Sequence, residues 1–139
     1  MSKKTKKITE ITVRDYMSAN IITLKPDMDL QEAIKLLLNN RITGAPVTDD
    51  RGRIIGGFSE MECLKAVVDS AFNRDVGGKV EEFMSKEVVP IEADMGIVDV
   101  AANFAQSTAR NFPVVEDVDI IGIISRVDVL RAITEIRDK

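Results

Sequence analysis

The sequence predicts an α+β (α/β-like) fold made of two related halves, each a small mixed β-sheet packed on two helices. Two observations carry that prediction. The first is internal duplication: Val13, Met17 and Ser18 of "VRDYMS" recur as Val80, Met84 and Ser85 of "VEEFMS", about 67 residues later. "APVTDD" (Ala45 to Asp50) likewise recurs as "FPVVED" (Phe112 to Asp117), and Gly56, Ser59, Leu64 and Ala66 match Gly122, Ser125, Leu130 and Ala132. The second is that each copy runs through the order β-α-β-β-α after a short leading helix, which implies a small sheet with helices on one side. A repeat of this size does not bury its apolar face alone. Two copies sharing one core across a pseudo-twofold axis are therefore expected, and paired clefts at that axis are the expected place for function.

The elements follow in order. Residues 1–9, with Lys3, Lys4, Lys6 and Lys7, read as a flexible basic tail. "VRDYMS" reads as a helical turn leading into the extended run Ile21 to Leu24, which Pro26 stops. Asp29 is a good N-cap, and Glu32 stands where a capping box needs it. Leu30, Ala33, Ile34, Leu37 and Leu38 then mark an amphipathic helix, repeated by Ile97, Val100, Ala101, Phe104 and Ala105. A strand around Pro46-Val47, a turn at Asp50-Arg51-Gly52, a strand from Ile54 to Phe58 and a helix from Ser59 close the first copy. Pro113 to Val115, Ile120 to Ile124 and a helix from Ser125 to Ile136 close the second. The domain boundaries expected are 10–68 and 80–139, with "DSAFNRDVGGK" (69–79) as linker.

Composition narrows the function classes. A hydrophobic share of 45% with 4% aromatic implies a globular core of Ile, Val, Leu, Ala and Met. A net charge of −4 argues against nucleic acid as partner. No apolar run is long enough to span a bilayer, and a lone Cys63 suits a reducing cytoplasm. The chain has no His, which removes the commonest general base and metal ligand, and no metal site is expected. Asp49-Asp50 and Glu116-Asp117 sit at strand-ending turns, where acidic residues serve turn chemistry. There is no phosphate-binding Gly-rich loop and no nucleophile–base pair. A catalytic role is not expected.

The strings "RITGAPVTDDRGRIIGGFSEMECLKAV" (Arg41 to Val67) and "ARNFPVVEDVDIIGIISRVDVLRAI" (Ala109 to Ile133) resemble the CBS domain family, named for cystathionine β-synthase. The resemblance covers about Val13 to Ile133 and makes the chain similar to a tandem CBS pair, or Bateman module, standing alone. It implies binding of an adenosine-containing ligand (AMP, ADP, ATP or S-adenosylmethionine) in the clefts between copies, with regulation of a partner protein. The family's nucleotide signature is Gly, two apolar residues, Ser or Thr, two of any type, then Asp. Gly122, Ile123, Ile124, Ser125, Arg126, Val127 and Asp128 match it throughout.

The chemistry of that string is readable on its own terms. A strand ends at Ser125 against a helix N-terminus, which attracts phosphate. One turn on, Asp128 is able to accept both ribose hydroxyls. Ser-x-x-Asp is equally a helix-capping pattern, so cap and ligand remain alternatives at this point. In the first copy Phe58, Ser59 and Glu62 occupy the corresponding places. The extra methylene of Glu62 moves its carboxylate by about 1.5 Å, so a weaker second cleft is expected.

The resemblance also implies the remaining cleft residues. Asp128 is expected to face Thr23 and the segment Ile42, Thr43, Gly44, Ala45 and Pro46, with Lys25 nearby. Glu62 is expected to face Pro90, Ala109 and Arg110, followed by Phe112 and Pro113. Ile42 and Ala109 would meet a purine, and Arg110 a phosphate. Arg126 and Arg131 would line a cleft or a subunit interface. A homodimer is expected because apolar helices (Leu64 to Val68, Val129 to Ile133) end both copies. The competing reading is a dimerising interaction scaffold without a ligand, favoured by the altered first motif and the few aromatics.

Overall fold

Leu30, Ala33 and Leu37 form the buried stripe of the first long helix, and a computed structural model shows what they pack against. It describes residues 7–73 and 77–137. Two 3₁₀ turns, Ile8–Glu10 and Val13–Asp15, come first. They are followed by α1 (Leu30–Asn39), β1 (Gly44–Thr48), β2 (Ile54–Ser59), α2 (Glu60–Asn73) and α3 (Val80–Phe83). Then come β3 (Ile91–Glu92), α4 (Ile97–Ala105), β4 (Asn111–Glu116), β5 (Asp119–Ser125) and α5 (Arg126–Arg137). Residues 1–6 of the basic tail lie outside the described residues.

The chain divides into two compact units, and they cut across the repeats. One unit is residues 22–88, the other residues 1–21 with 89–139. The leading turn of each repeat thus belongs to the body of the other. Val13 N–H donates to Met95 O (2.9 Å), Arg14 N–H to Ala93 O (3.0 Å), and Ser18 exchanges two hydrogen bonds with Ile123 (2.8 and 2.9 Å). Corresponding bonds recur in the other unit: Val80 N–H to Met28 O, Glu81 N–H to Pro26 O, and Ser85 with Gly57 (both 2.8 Å).

That exchange corrects the expectation of one continuous core. The buried residues form two clusters, one per unit. Val13 completes the cluster of Ile91, Ile97, Val100, Phe104, Phe112, Val114 and Ile124, where the Phe104 and Phe112 rings stack with centroids 4.3 Å apart. Val80 completes the cluster of Leu24, Leu30, Leu37, Val47 and Phe58. Each body covers its apolar face with the turn it takes from the other repeat, so each closes a core of its own.

In the unit of residues 89–139, β3 pairs parallel with β4, and β4 pairs antiparallel with β5. This is the small mixed sheet expected. In the other unit β1 and β2 pair antiparallel, with Gly52 at φ 78° in the turn, and the expected strand Ile21 to Leu24 shrinks to one parallel bridge from Leu24 to Val47. Asp29 caps α1 by accepting from Gln31 N–H (3.1 Å) and Glu32 N–H (3.3 Å). The stretch read as linker begins inside α2, which continues to Asn73. Leu38 and Ala105, the last members of their stripes, are exposed. Each follows a residue that the helix turns inward, and one residue is about 100° of rotation.

Candidate functional site

β5 runs directly into α5 at Ser125, and the sequence-predicted string from Gly122 to Asp128 sits on that junction. The two ends of the Ser-x-x-Asp unit bond reciprocally. Ser125 N–H donates to Asp128 Oδ2 (2.9 Å), and Asp128 N–H donates to Ser125 Oγ (3.2 Å). Asp128 Oδ1 accepts from Arg131 Nη2 (3.1 Å), and the Asp128 side chain keeps 17% of its surface. This is a capping box with its carboxylate partly open to solvent.

The first copy reaches the same cap by different bonds. Glu62 Oε1 accepts from both Ser59 N–H (2.8 Å) and Ser59 Oγ–H (2.6 Å), and Ser59 Oγ accepts from Met61 N–H (3.2 Å). The longer Glu side chain therefore reaches back and accepts a hydrogen bond from the hydroxyl. At Ser125 the hydroxyl acts as acceptor, and no described acceptor holds its proton. A carboxylate offers about four lone-pair sites. Asp128 has one occupied on each oxygen, which leaves one open on each; Glu62 has both on Oε1 filled.

Several expected contacts resolve into structural roles. Gly122 is glycine for packing: a Cβ there would lie 2.6 Å from Met17 Sδ and 2.8 Å from Ser18 O. Gly56 has the same reason in Met84 and Ser85. The side chains of Phe58, Ile124, Phe112 and Ala45 are core, and Gly44, Pro46 and Pro113 are buried strand residues. Ile123 is half-buried and holds Ser18 through its backbone.

The cations were the least legible members. Arg126 Nε donates to Ala109 O (2.8 Å) and its Nη2 to Ser107 O (3.3 Å), tying the loop before β4 to the start of α5. Arg126 N–H also donates to Arg110 O (3.1 Å). Lys25 Nζ donates to Asp49 O (3.2 Å) and Thr48 Oγ1 (3.4 Å). The backbone donors expected to greet a phosphate at α5 are thus largely engaged within the fold.

Thr23, Ile42 and Thr43 are half-buried residues of the unit 22–88, which also holds Phe58, Ser59 and Glu62. Pro90 and Arg110 are exposed and Ala109 half-buried in the other unit, which holds Gly122 to Asp128. Asp49 serves its turn, accepting from Arg51 N–H (2.9 Å) and Arg53 N–H (3.0 Å). Those donors, Arg53 first, hold its carboxyl below the usual range. Burial, then the neighbouring Glu62 carboxylate, pushes the Cys63 thiol up, which disfavours the reactive thiolate. A shallow depression of 430 Å³ along α2 is lined by Leu64, Lys65, Val68 and Asp69 of that helix alone. It is a surface feature. Among the described residues, no helix is long and apolar enough to cross a membrane, and no three His, Cys, Asp or Glu gather in a metal-binding arrangement.

Comparison with known proteins places this geometry. The chain is 29% identical over 119 residues to an uncharacterized protein of Methanocaldococcus jannaschii, spanning 86% of this chain and 41% of that protein. Its structure is similar to that of CBSX2 in complex with AMP, with a TM-score of 0.80, 27% identity, and coverage of 91% of this chain and 98% of the other. The CBS domain pair of protein MJ0100, in complex with 5′-methylthioadenosine and S-adenosyl-L-methionine, matches with a TM-score of 0.79 and 25% identity over 89% of this chain and 96% of the other. The CBS domain model matches twice, over residues 13–69 and 80–135, so the chain belongs to the CBS domain family as a tandem pair.

Proposed function

We propose that this chain is a regulatory module that binds an adenosine-containing ligand and passes its occupancy on to a partner protein. The observation that carries the reading is the Asp128 carboxylate beside Ser125. It is partly open to solvent, each of its oxygens accepts one hydrogen bond from the protein and has a second acceptor position, and it stands next to the Ser125 hydroxyl. A vicinal diol suits those two acceptors. The ligands named for CBSX2 and the MJ0100 pair share an adenosine moiety, which supports AMP, ADP, ATP or S-adenosylmethionine as the class. A site at Glu62 is the weaker of two, because Ser59 already fills one carboxylate oxygen. A cytoplasmic setting belongs to the same proposal, since free adenine nucleotides are found there. Ligand acts on the partner only through its differential affinity for two states of the module.

Thermal-shift titration of the full chain with AMP, ADP, ATP and S-adenosylmethionine tests this. A ligand at about 100 times its Kd adds roughly 2.7 kcal/mol to the stability of the folded state. A clear rise in melting temperature with at least one of the four is expected. A flat response to all four overturns the nucleotide reading and leaves the scaffold.

The scaffold reading has an observation of its own. Met61, Leu64, Val67 and Val68 on α2 are each more than half exposed, and so are Val127 and Leu130 on α5. Exposed apolar faces of this kind mark association surfaces. A homodimer through them is part of the proposal under either reading. Light scattering should report a dimer at micromolar concentration and a monomer for the Leu64→Glu/Leu130→Glu variant. A wild-type monomer at tens of micromolar would sink it.

A further inference from the structure

We propose that Arg131 is a positioning residue that sets the Asp128 carboxylate for a ribose diol and thereby makes the site discriminate ribose from 2′-deoxyribose. This rests on the reading of Asp128 as the ribose acceptor. The guanidinium is held at three points. Its Nη2 donates to Asp128 Oδ1 (3.1 Å) and to the Tyr16 carbonyl (3.3 Å), and its centre lies 5.6 Å from the Tyr16 ring centroid. Tyr16 belongs to the leading segment that Val13, Arg14 and Ser18 bond onto the body of the same unit. The anchor is therefore tied to the fold, not to α5 alone.

The consequence lies in the orientation of the carboxylate. With only Ser125 N–H on Oδ2 (2.9 Å), the group is free to turn about its Cβ–Cγ bond. A second donor on Oδ1 fixes the plane and leaves one acceptor position on each oxygen, the arrangement a pair of vicinal hydroxyls requires. The other repeat lacks the device. Lys65 stands where Arg131 does, without a planar fork, and Glu62 Oε1 takes both donors of Ser59. The difference between the two sites thus lies three residues beyond the acid as well as at the acid itself.

Calorimetric titration of the full chain with AMP and with 2′-deoxy-AMP separates positioning from mere stability. Wild type should prefer AMP by at least about 10-fold, the loss expected for one hydrogen bond to a charged group. Arg131→Ala should lower AMP affinity by about 5-fold or more while changing 2′-deoxy-AMP affinity by less than about 2-fold, so that the preference collapses. Arg131→Lys should recover part of it, and it serves as the test if the alanine variant does not fold. Equal weakening of both ligands in a folded Arg131→Ala would mean that the side chain supports the site generally, and that result overturns the proposal. So does a preference that survives in Arg131→Ala (or in Arg131→Lys undiminished), and so does a wild type that binds both ligands equally. A wild type that fails to bind AMP overturns it too. The nucleotide reading falls with it only if ADP, ATP and S-adenosylmethionine also fail.

Discussion

Phe58→Ala is expected to lower the unfolding free energy by about 3–5 kcal/mol, whereas Leu38→Ala should change it by less than about 0.5 kcal/mol. Phe58 is 1% exposed and sits with Leu24, Val47 and Leu30 in the core of its unit. Truncating it removes transfer free energy and leaves a cavity that well-packed neighbours fill only in part. Leu38 is 71% exposed at the end of α1, so alanine there removes little buried surface and improves helix propensity slightly. Urea unfolding followed by circular dichroism checks both. Retained stability in Phe58→Ala would mean that Phe58 does not fill the core of its unit. A cost of 2 kcal/mol or more at Leu38, on the scale of full burial of a Leu side chain, would mean that a second molecule covers that residue in solution.

The contrast between these two residues marks how far the sequence was legible. Periodicity found both amphipathic helices, and Leu30, Ala33 and Leu37, like Ile97, Val100 and Phe104, are buried as their spacing implies. Its outer members fail because the stripe drifts around the helix, and a pattern of apolar letters does not say where the covering surface stops. The exchange of leading turns was illegible for a different reason. Duplication shows that Val13 and Val80 do equivalent jobs, but two equivalent copies are equally consistent with each turn packing on its own body or on the other's. Hydrogen bonds from Val13 to Met95 and from Val80 to Met28 decide it.

At the candidate site the limit is chemical. Spacing placed Ser125 and Asp128 on one helical turn, but a cap and a ribose acceptor need the same two residues at that spacing. The cap is present in both copies. What separates them is which oxygen each donor uses, and that follows from one methylene in Glu62 and from an arginine that Tyr16, in a distant segment, also holds. The sequence leaves Arg126 between a cleft and a subunit interface and puts Lys25 near a cleft, for want of that tertiary information. Their guanidinium and ammonium groups hold loop carbonyls.

Asp128→Asn should weaken AMP binding by about 10- to 100-fold, and Glu62→Gln by no more than about 3-fold. Asparagine keeps an oxygen able to accept from Ser125 N–H, so the cap survives while the charge and one acceptor oxygen are lost. A hydrogen bond to a charged group contributes about 1.5–3 kcal/mol, and each 1.4 kcal/mol is tenfold in Kd. Glutamine at position 62 keeps the acceptor that Ser59 uses and alters a carboxylate with one oxygen already filled. Alanine would be the poorer probe at either position, because it removes the cap and confounds affinity with helix stability at a cost of about 1 kcal/mol. Calorimetry on both variants, with thermal melts to confirm that each is folded, gives the answer. If Glu62 proves the sensitive position, or neither does, the adenosine ligand is not held by Asp128, and the carboxylate beside Ser125 is a helix cap alone.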